Sequence, residues 1–288
     1  MKKFTPLQLN NPVLICSWQG WPDAAESATK SVEEILSQLE VIHSQNLNSD
    51  SYYIYSDKRP TVTNVKNNLR HIDWLENKFS FIKPQKRSKN DIIVFEGIEP
   101  DINWKSYVKD FIDVIKFYEI KNVIMVGALL DSVPHTREPR ISFTATGNKT
   151  NPLLKKISYT PPKYEGPAGI TSAIGEKLDK LKVASLSIWG HTPHYLQVTH
   201  NPILSAAIMK EISNILNLKL NFEKITKRSE EFRASLNLAL EDHNEINKYV
   251  ERLEETYDTE EMSKIDPEPQ LILKDLENFL KDQRQSQE

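Results

Sequence analysis

Residues that could bind a small ligand gather in short segments rich in polar, aromatic and glycine side chains, and most of these segments directly follow a predicted strand. In open α/β sheets, ligands bind beyond the carboxyl ends of the strands. We therefore expect any site to lie at that edge of the sheet. The candidate ligand-binding residues are Trp18, Trp21, Asp23, Asp131, His135, Arg137, Tyr164, Glu165, Gly166, His194 and Tyr195.

The segment from Asp131 to Arg137 has the side chains of an anion site. Arg137 could hold a carboxylate or a phosphate through two parallel N–H donors, with His135 as a further donor. The same three side chains could equally form a structural ion-pair network. The sequence leaves both interpretations open.

Two other candidates have structural explanations. Asp23 precedes a helical pattern and is followed three residues later by Glu26, which resembles a capping box and would by itself explain the aspartate. The segment 165–169 could offer backbone N–H groups to an anion at a helix N-terminus. It matches neither glycine-rich phosphate motif, however, and a Gly-Pro turn that enters a helix is common.

We predict no metal site, no cofactor and no identifiable nucleophile. His191 and His194 are three residues apart, but Pro193 between them disfavours a helix, and no nearby carboxylate or cysteine completes a ligand set. Cys16 lies inside a predicted strand, where a thiol is usually an inert apolar group. The sequence contains no G-x-S-x-G motif. A role other than catalysis is therefore favoured.

The composition indicates a globular protein of the cytoplasm. Of 288 residues, 39% are hydrophobic and 27% charged, and the net charge is −3 with both signs interspersed. This argues against a basic nucleic-acid-binding face. The single cysteine excludes an internal disulfide and suits a reducing compartment. We see no signal peptide, and no apolar run approaches the ~20 residues that span a bilayer, so we expect no membrane association.

Strand and helix patterns alternate along residues 1–221, which predicts an α/β domain with right-handed crossovers. Several strands are apolar at successive positions, as expected when helices cover both faces of the sheet. The predicted strands are 12–17, 51–55, 91–96, 122–127, 140–145 and 184–189. The predicted helices are 24–39, 104–118, one that opens near Pro167, and one that starts at Asn201 with Pro202 at its first turn. Because strand 140–145 follows a loop, the sheet is expected to be mixed.

Residues 222–288 are predicted to form a helical C-terminal extension with a disordered tail. Apolar residues at steps of three and four from Phe232 to Tyr257 predict one long amphipathic helix, with His243 as a packed residue on its apolar stripe. A proline-containing break at 266–269 precedes a short helix over 271–280. We expect the extension to pack on its own body or on a dimer mate.

The candidate segments also carry a family resemblance. Each motif is weak alone, but seven occur in the same order as in the proteasome assembly chaperone 2 family. They are WQGWPDAA at 18–25, GALL at 127–130 leading to VPHTR at 133–137, YEGPAGI at 164–170, PHY at 193–195, Tyr55 with KRP at 58–60, GIEPD at 97–101 with Trp104, and LEETYD at 253–258. The chain most resembles the prokaryotic, actinobacterial-like branch, over about residues 10 to 258.

The resemblance implies a three-layer α/β/α fold similar to nucleoside phosphorylases and hydrolases, and a tendency to self-associate. Eukaryotic and archaeal members of the family chaperone proteasome assembly, and some archaeal members dock through a C-terminal hydrophobic-Tyr-any motif. This sequence ends without that motif, so we do not expect docking by the tail.

We therefore expect an assembly-chaperone-like binding protein that acts as a homo-oligomer and has a possible protein partner. The alternative is a small-molecule enzyme that resembles a nucleoside phosphorylase, a hydrolase or an ATP-dependent carboxylate–amine ligase. It would use Asp131, His135, Arg137, Glu165 and His194 at the strand ends. The absence of a phosphate-gripping loop weakens the ligase version.

Overall fold

A computed structural model of the chain describes residues 4–47, 49–65, 69–83, 90–147, 154–159, 164–196, 198, 200–240 and 244–259. In chain order the strands are β1 (Val13–Gln19), β2 (Val41–Asn46), β3 (Thr61–Val65), β4 (Leu69–Asp73), β5 (Lys78–Ile82), β6 (Ile92–Ile98), β7 (Asn122–Asp131), β8 (Ile141–Thr146) and β9 (Ala184–Pro193). The helices are α1 (Ser27–Ser37), α2 (Trp104–Phe117), α3 (Ile170–Lys180), α4 (Pro202–Leu216), α5 (Glu223–Leu240) and α6 (Asn244–Asp258).

Seven strands form one mixed sheet in the order β2-β5-β6-β1-β7-β9-β8, with helices on both sides. Strand β1 runs parallel to β6 and β7, with Val13 opposite both Ile92 and Asn122. Strand β5 is antiparallel to β6 and to β2. Strands β3 and β4 form a separate antiparallel hairpin. The predicted three-layer α/β/α fold with a mixed sheet and C-terminal helices is confirmed.

One predicted strand is wrong and four strands were not predicted. Residues 51–55 form turns and irregular backbone, and Tyr52 and Tyr53 there are buried core residues. Their β-forming side chains reflect burial instead of strand pairing. Strand β2 was missed because it is an edge strand, largely exposed and polar. The short strands β3, β4 and β5 were also missed.

The chain divides into two compact units. The first consists of 1–22, 36–126 and 143–187. Its core is aromatic: Trp18 packs against Phe95 and Phe111 with ring centroids 5.3 and 5.5 Å away. A buried indole N–H needs a partner, and Trp18 Nε1 donates to the Tyr107 hydroxyl at 2.8 Å. That hydroxyl in turn donates to Asn77 Oδ1 at 2.9 Å, so the polar atoms of Trp18 and Tyr107 are both paired.

The second unit consists of 23–35, 127–142 and 188 onward. The predicted start of α4 is confirmed, since the Asn201 side chain accepts a hydrogen bond from Leu204 N at 3.2 Å and Pro202 occupies the first turn. A cluster of buried residues joins the end of β9 to the C-terminal helices. It contains Tyr195, Leu196, Leu236, Ala239, Leu240, Ile246, Tyr249, Val250 and Leu253.

Two helices, α5 and α6, replace the single long helix predicted from Phe232 to Tyr257. The side chain of Asn247 donates to the Leu240 carbonyl at 2.9 Å. In a continuous helix, seven residues would separate these groups by about 10 Å. His243, the break at 266–269, the helix over 271–280 and the tail lie outside the described residues. The domain boundary between residues 221 and 222 stays a prediction.

None of the helices that the structure describes is long and apolar enough to cross a membrane.

Candidate functional site

A row of hydrogen-bonded side chains joins three strands that are neighbours in the sheet order, β7, β9 and β8. His191 Nδ1 lies 2.7 Å from Asp131 Oδ2, and His191 Nε2 lies 2.8 Å from the hydroxyl of Ser142. An ionised carboxylate only accepts hydrogen bonds, so Nδ1 carries the proton, and in the neutral ring Nε2 accepts from Ser142. We call this set the Asp131–His191–Ser142 row.

Asp131 is held in its ionised form. Burial raises the pKa of its carboxyl. The hydrogen bonds from His191 and from the Ser132 N–H (2.7 Å), together with the electrostatic effects of His191 and Arg140, outweigh burial, so the pKa lies below its usual value. Both carboxylate oxygens therefore have fixed donors. This orients the carboxylate towards His191.

His135 bonds to Tyr195 and is neutral. The Tyr195 hydroxyl accepts from the His135 backbone N–H at 2.8 Å and lies 2.7 Å from His135 Nδ1. Burial, aided by the nearby charge of Arg233 and opposed by that of Glu254, lowers the pKa of His135 to about 4. Burial also raises the pKa of Tyr195, which keeps its proton. An imidazole that is neutral at pH 7 offers no positive charge to an anion.

Arg137 is engaged by α6. Its Nε and Nη2 atoms donate to the two carboxylate oxygens of Asp258 at 3.0 and 2.8 Å, and Nη1 lies 3.1 Å from Glu254. The Tyr257 hydroxyl also donates to the Glu138 carbonyl at 2.9 Å. The described ion pairs of Arg137 are therefore with Glu254 and Asp258 of α6, which lie outside the predicted set of Asp131, His135 and Arg137.

The ring nitrogens of His194 contact different atoms from those of His191. Its backbone N–H donates to the Asp131 carbonyl at 3.0 Å, its Nδ1 lies 3.1 Å from the same oxygen, and its Nε2 lies 3.2 Å from the Tyr249 hydroxyl. Over the described part of the chain, no group of three or more His, Cys, Asp and Glu side chains has the arrangement of a metal site.

In the first unit, Trp21 and Tyr164 are exposed aromatic residues beside the loop that enters α3, with 61% and 67% of their surfaces accessible. A Cβ atom on Gly169 would lie 3.0 Å from the Trp21 ring, and one on Gly166 would lie 2.5 Å from the Tyr164 hydroxyl. The glycines therefore let the two rings lie close to this loop. Glu165 is also exposed there.

Glu99 occupies the N-terminus of α3. Its Oε1 accepts from the Ile170 N–H at 2.9 Å, and its Oε2 accepts from the Trp21 N–H at 3.3 Å. A carboxylate at a helix N-terminus is favoured by the helix dipole. The anion position suggested for the segment 165–169 therefore already has a protein carboxylate beside it.

Two remaining candidates lie inside the protein. Trp18 is fully buried and belongs to the core of the first unit. Asp23 caps α1, because its Oδ1 accepts from Ala28 N at 2.7 Å and from Thr29 N at 3.2 Å, while the Thr29 hydroxyl donates to Oδ2. The cap differs from the predicted capping box, since a 3₁₀ turn (Ala24–Glu26) separates Asp23 from α1 and Glu26 takes a left-handed conformation.

An open groove runs between α2 and α3 in the first unit and has a volume of about 630 Å³. Most of its apolar lining residues are buried or half-buried, and we call them the floor; most of its charged lining residues are exposed, and we call them the edges. The apolar set is Trp104, Val108, Ile112, Ala173 and Leu181. The charged set is Lys105, Lys109, Asp113, Lys116, Glu176, Lys177 and Lys180. We call this surface the α2–α3 groove.

Several groups in these clusters could not be identified from the sequence. Ser142 and Glu99 were not among the candidates, and His191 was considered only as a metal ligand. The acidic partners of Arg137 on α6 were also missed. Their contacts depend on strand neighbours and helix docking, which one sequence does not define.

Comparisons with solved structures find the same fold in several proteins. One is a PAC2 family protein of Streptomyces avermitilis, 25% identical with a TM-score of 0.74, covering 83% of this chain and 99% of that chain. A proteasome-assembly chaperone homologue of Mycobacterium tuberculosis is 23% identical, with a TM-score of 0.70 and coverage of 83% and 99%. An archaeal proteasome activator of Pyrococcus furiosus is 16% identical, with a TM-score of 0.59 and coverage of 82% and 96%.

No curated protein matches this chain. The model of the PAC2 family matches residues 17–239, which is most of the chain. This match and the shared fold confirm the resemblance drawn from the motifs, and the chain belongs to the PAC2 family.

Proposed function

We propose that this chain is an assembly-chaperone-like binding protein that acts as a homo-oligomer and holds an acidic, amphipathic helix of a protein partner in the α2–α3 groove. Family membership supports a chaperone-like role, since one solved relative is described as a proteasome-assembly chaperone homologue and another as a proteasome activator. The free, buried thiol of Cys16 suits the reducing conditions of the cytoplasm.

The α2–α3 groove is the observation that carries this proposal. An apolar surface rimmed by polar side chains is typical of a protein interaction site. From Trp104 to Lys116 the groove follows α2 for about 18 Å, the length of a helix of about twelve residues. An amphipathic helix binds such a groove through apolar residues at steps of three and four.

The charge at the groove edges selects the kind of partner. Five lysines and two acidic residues line it, which leaves an excess of three positive charges. Complementary charge speeds association and excludes partners of the wrong sign. A helix with an apolar face flanked by Glu and Asp therefore fits both the floor and the edges.

Fluorescence anisotropy with a labelled, acidic amphipathic peptide of about 14 residues tests the groove. Ala173→Glu places a carboxylate in the groove floor and should weaken binding at least about tenfold, or 1.4 kcal/mol. Ser172→Glu adds the same charge to an exposed neighbouring position on α3 and should bind like wild type. A peptide that binds Ala173→Glu and wild type equally, or binds neither, contradicts the proposal.

Further measurements distinguish other occupants of the groove. If the peptide binds only after the chain is truncated at Thr259, residues 260–288 occupy the groove instead of a partner. If Ala173→Glu converts an oligomer into a monomer, a second copy is the occupant. Size-exclusion chromatography with light scattering tests self-association separately, and a strict monomer at every concentration would overturn that part of the proposal.

A further inference from the structure

The Asp131–His191–Ser142 row has the arrangement of an activated nucleophile. A serine hydroxyl becomes nucleophilic when an adjacent base can take its proton and a third group orients the base. Here His191 Nδ1 is committed to the carboxylate at 2.7 Å, so the lone pair of Nε2 faces the Ser142 hydroxyl at 2.8 Å. The second oxygen of Asp131 is fixed by the Ser132 N–H.

Ser142 and His191 are both partly accessible. Ser142 is half-buried on β8, which is the last strand in the sheet order, so it lies at an edge of the sheet. His191 lines a small cavity of about 20 Å³ that Arg140 also lines. This is room for about one water molecule.

We propose that Ser142 is a catalytic nucleophile for acyl transfer from carboxylic esters, with His191 as its general base and Asp131 as a positioning residue for His191. This function is independent of the α2–α3 groove. Ser142 was not among the residues predicted for the enzyme alternative.

Ester hydrolysis by these residues proceeds through an acyl-serine and needs no cofactor. Ser142 Oγ bonds to the ester carbonyl carbon while its proton passes to His191 Nε2. The ester C–O bond then breaks, and the leaving alcohol takes that proton. Water adds to the acyl-serine with His191 again accepting and returning a proton, which releases the carboxylic acid and restores Ser142. The net reaction consumes one ester and one water and yields one acid and one alcohol.

The full chain is treated with a fluorophosphonate probe, and the labelled peptide is identified by mass spectrometry. We expect labelling at Ser142 in the native chain and its loss on denaturation before labelling. Ser142→Ala should remove the label and slow the hydrolysis of p-nitrophenyl acetate about 100-fold, the scale of general-base assistance. Ser106→Ala, which removes an exposed hydroxyl on α2, is the matched control. It should keep both activities.

The kinetics of Asp131→Asn test whether Asp131 positions His191 or helps to bind the substrate. The variant should lower kcat about 100-fold while KM stays near the wild-type value, because the amide no longer holds the correct form of His191. Ser142 that labels no better than other serines in native wild type, or Ser142→Ala that hydrolyses the ester at the wild-type rate, overturns the proposal. The wild-type labelling result decides the matter even if a variant fails to fold.

Discussion

Replacing Asp23 with Asn should change how the stability of the chain depends on pH. Burial raises the pKa of the Asp23 carboxyl from 3.8 to about 6, despite its hydrogen bonds with Thr29 and Ala28. Between about pH 4 and pH 6, the folded chain therefore keeps a proton that the unfolded chain has lost. The free energy of unfolding falls as the pH rises through this window. A shift of about two pH units corresponds to a loss of about 3 kcal/mol above pH 6.

Asp23→Asn removes this titration but keeps an oxygen that can accept from the N–H groups of Ala28 and Thr29. Relative to wild type, its free energy of unfolding should therefore rise by about 3 kcal/mol between pH 4 and pH 7. Urea unfolding followed by circular dichroism measures this difference. Asp57→Asn, at an exposed position, controls for the loss of one negative charge. A difference between Asp23→Asn and wild type that does not change with pH would refute the reasoning.

Two more predictions follow from burial and packing. Gly127→Ala would place its Cβ 2.6 Å from the Trp189 ring, so it should lower the free energy of unfolding by about 1–3 kcal/mol, measured by thermal unfolding. In Gly175→Ala on α3 the new Cβ meets only a methionine methyl at 3.5 Å, so the free energy of unfolding should stay the same or rise by up to about 1 kcal/mol. Equal effects of the two substitutions would contradict this prediction. His135 has a pKa of about 4 in the folded chain, so NMR should show a neutral ring down to pH 5. The free energy of unfolding should fall as the pH drops from about 6.5 to 4, because the histidine of the unfolded chain gains its proton first. A titration midpoint near 6.5 in the folded chain would be inconsistent with the burial of His135 against Tyr195.

The central strands were predictable because their burial on both faces leaves a signal in the sequence. Strands β1 and β7 begin with runs of consecutive buried residues, which is typical of a sheet covered by helices. The edge strand β2 lacks that signal, since exposed and polar residues fit an edge as well as they fit a loop. In 51–55 the buried tyrosines gave a strand pattern in a segment that forms turns and irregular backbone.

The site was predictable only in part. The segment from Asp131 to Arg137 was correctly noticed as rich in interacting groups, but its partners lie far along the chain. Arg137 bonds to Asp258 across 121 residues, and His191 bonds to Ser142 across 49. Strand order and the docking of α6 determine these pairs. A single sequence shows neither, so the partners of Arg137 and His191 could not be predicted from it.

The carboxylate of Glu99 competes with any free anion for the backbone N–H groups at the start of α3. Because Glu99 is attached to the same chain and already bonded to the Ile170 N–H, it acts as a tethered ligand with a high effective concentration. A free anion would have to displace it, and the displaced carboxylate would then repel the incoming charge. The start of α3 therefore disfavours a free anion at this position.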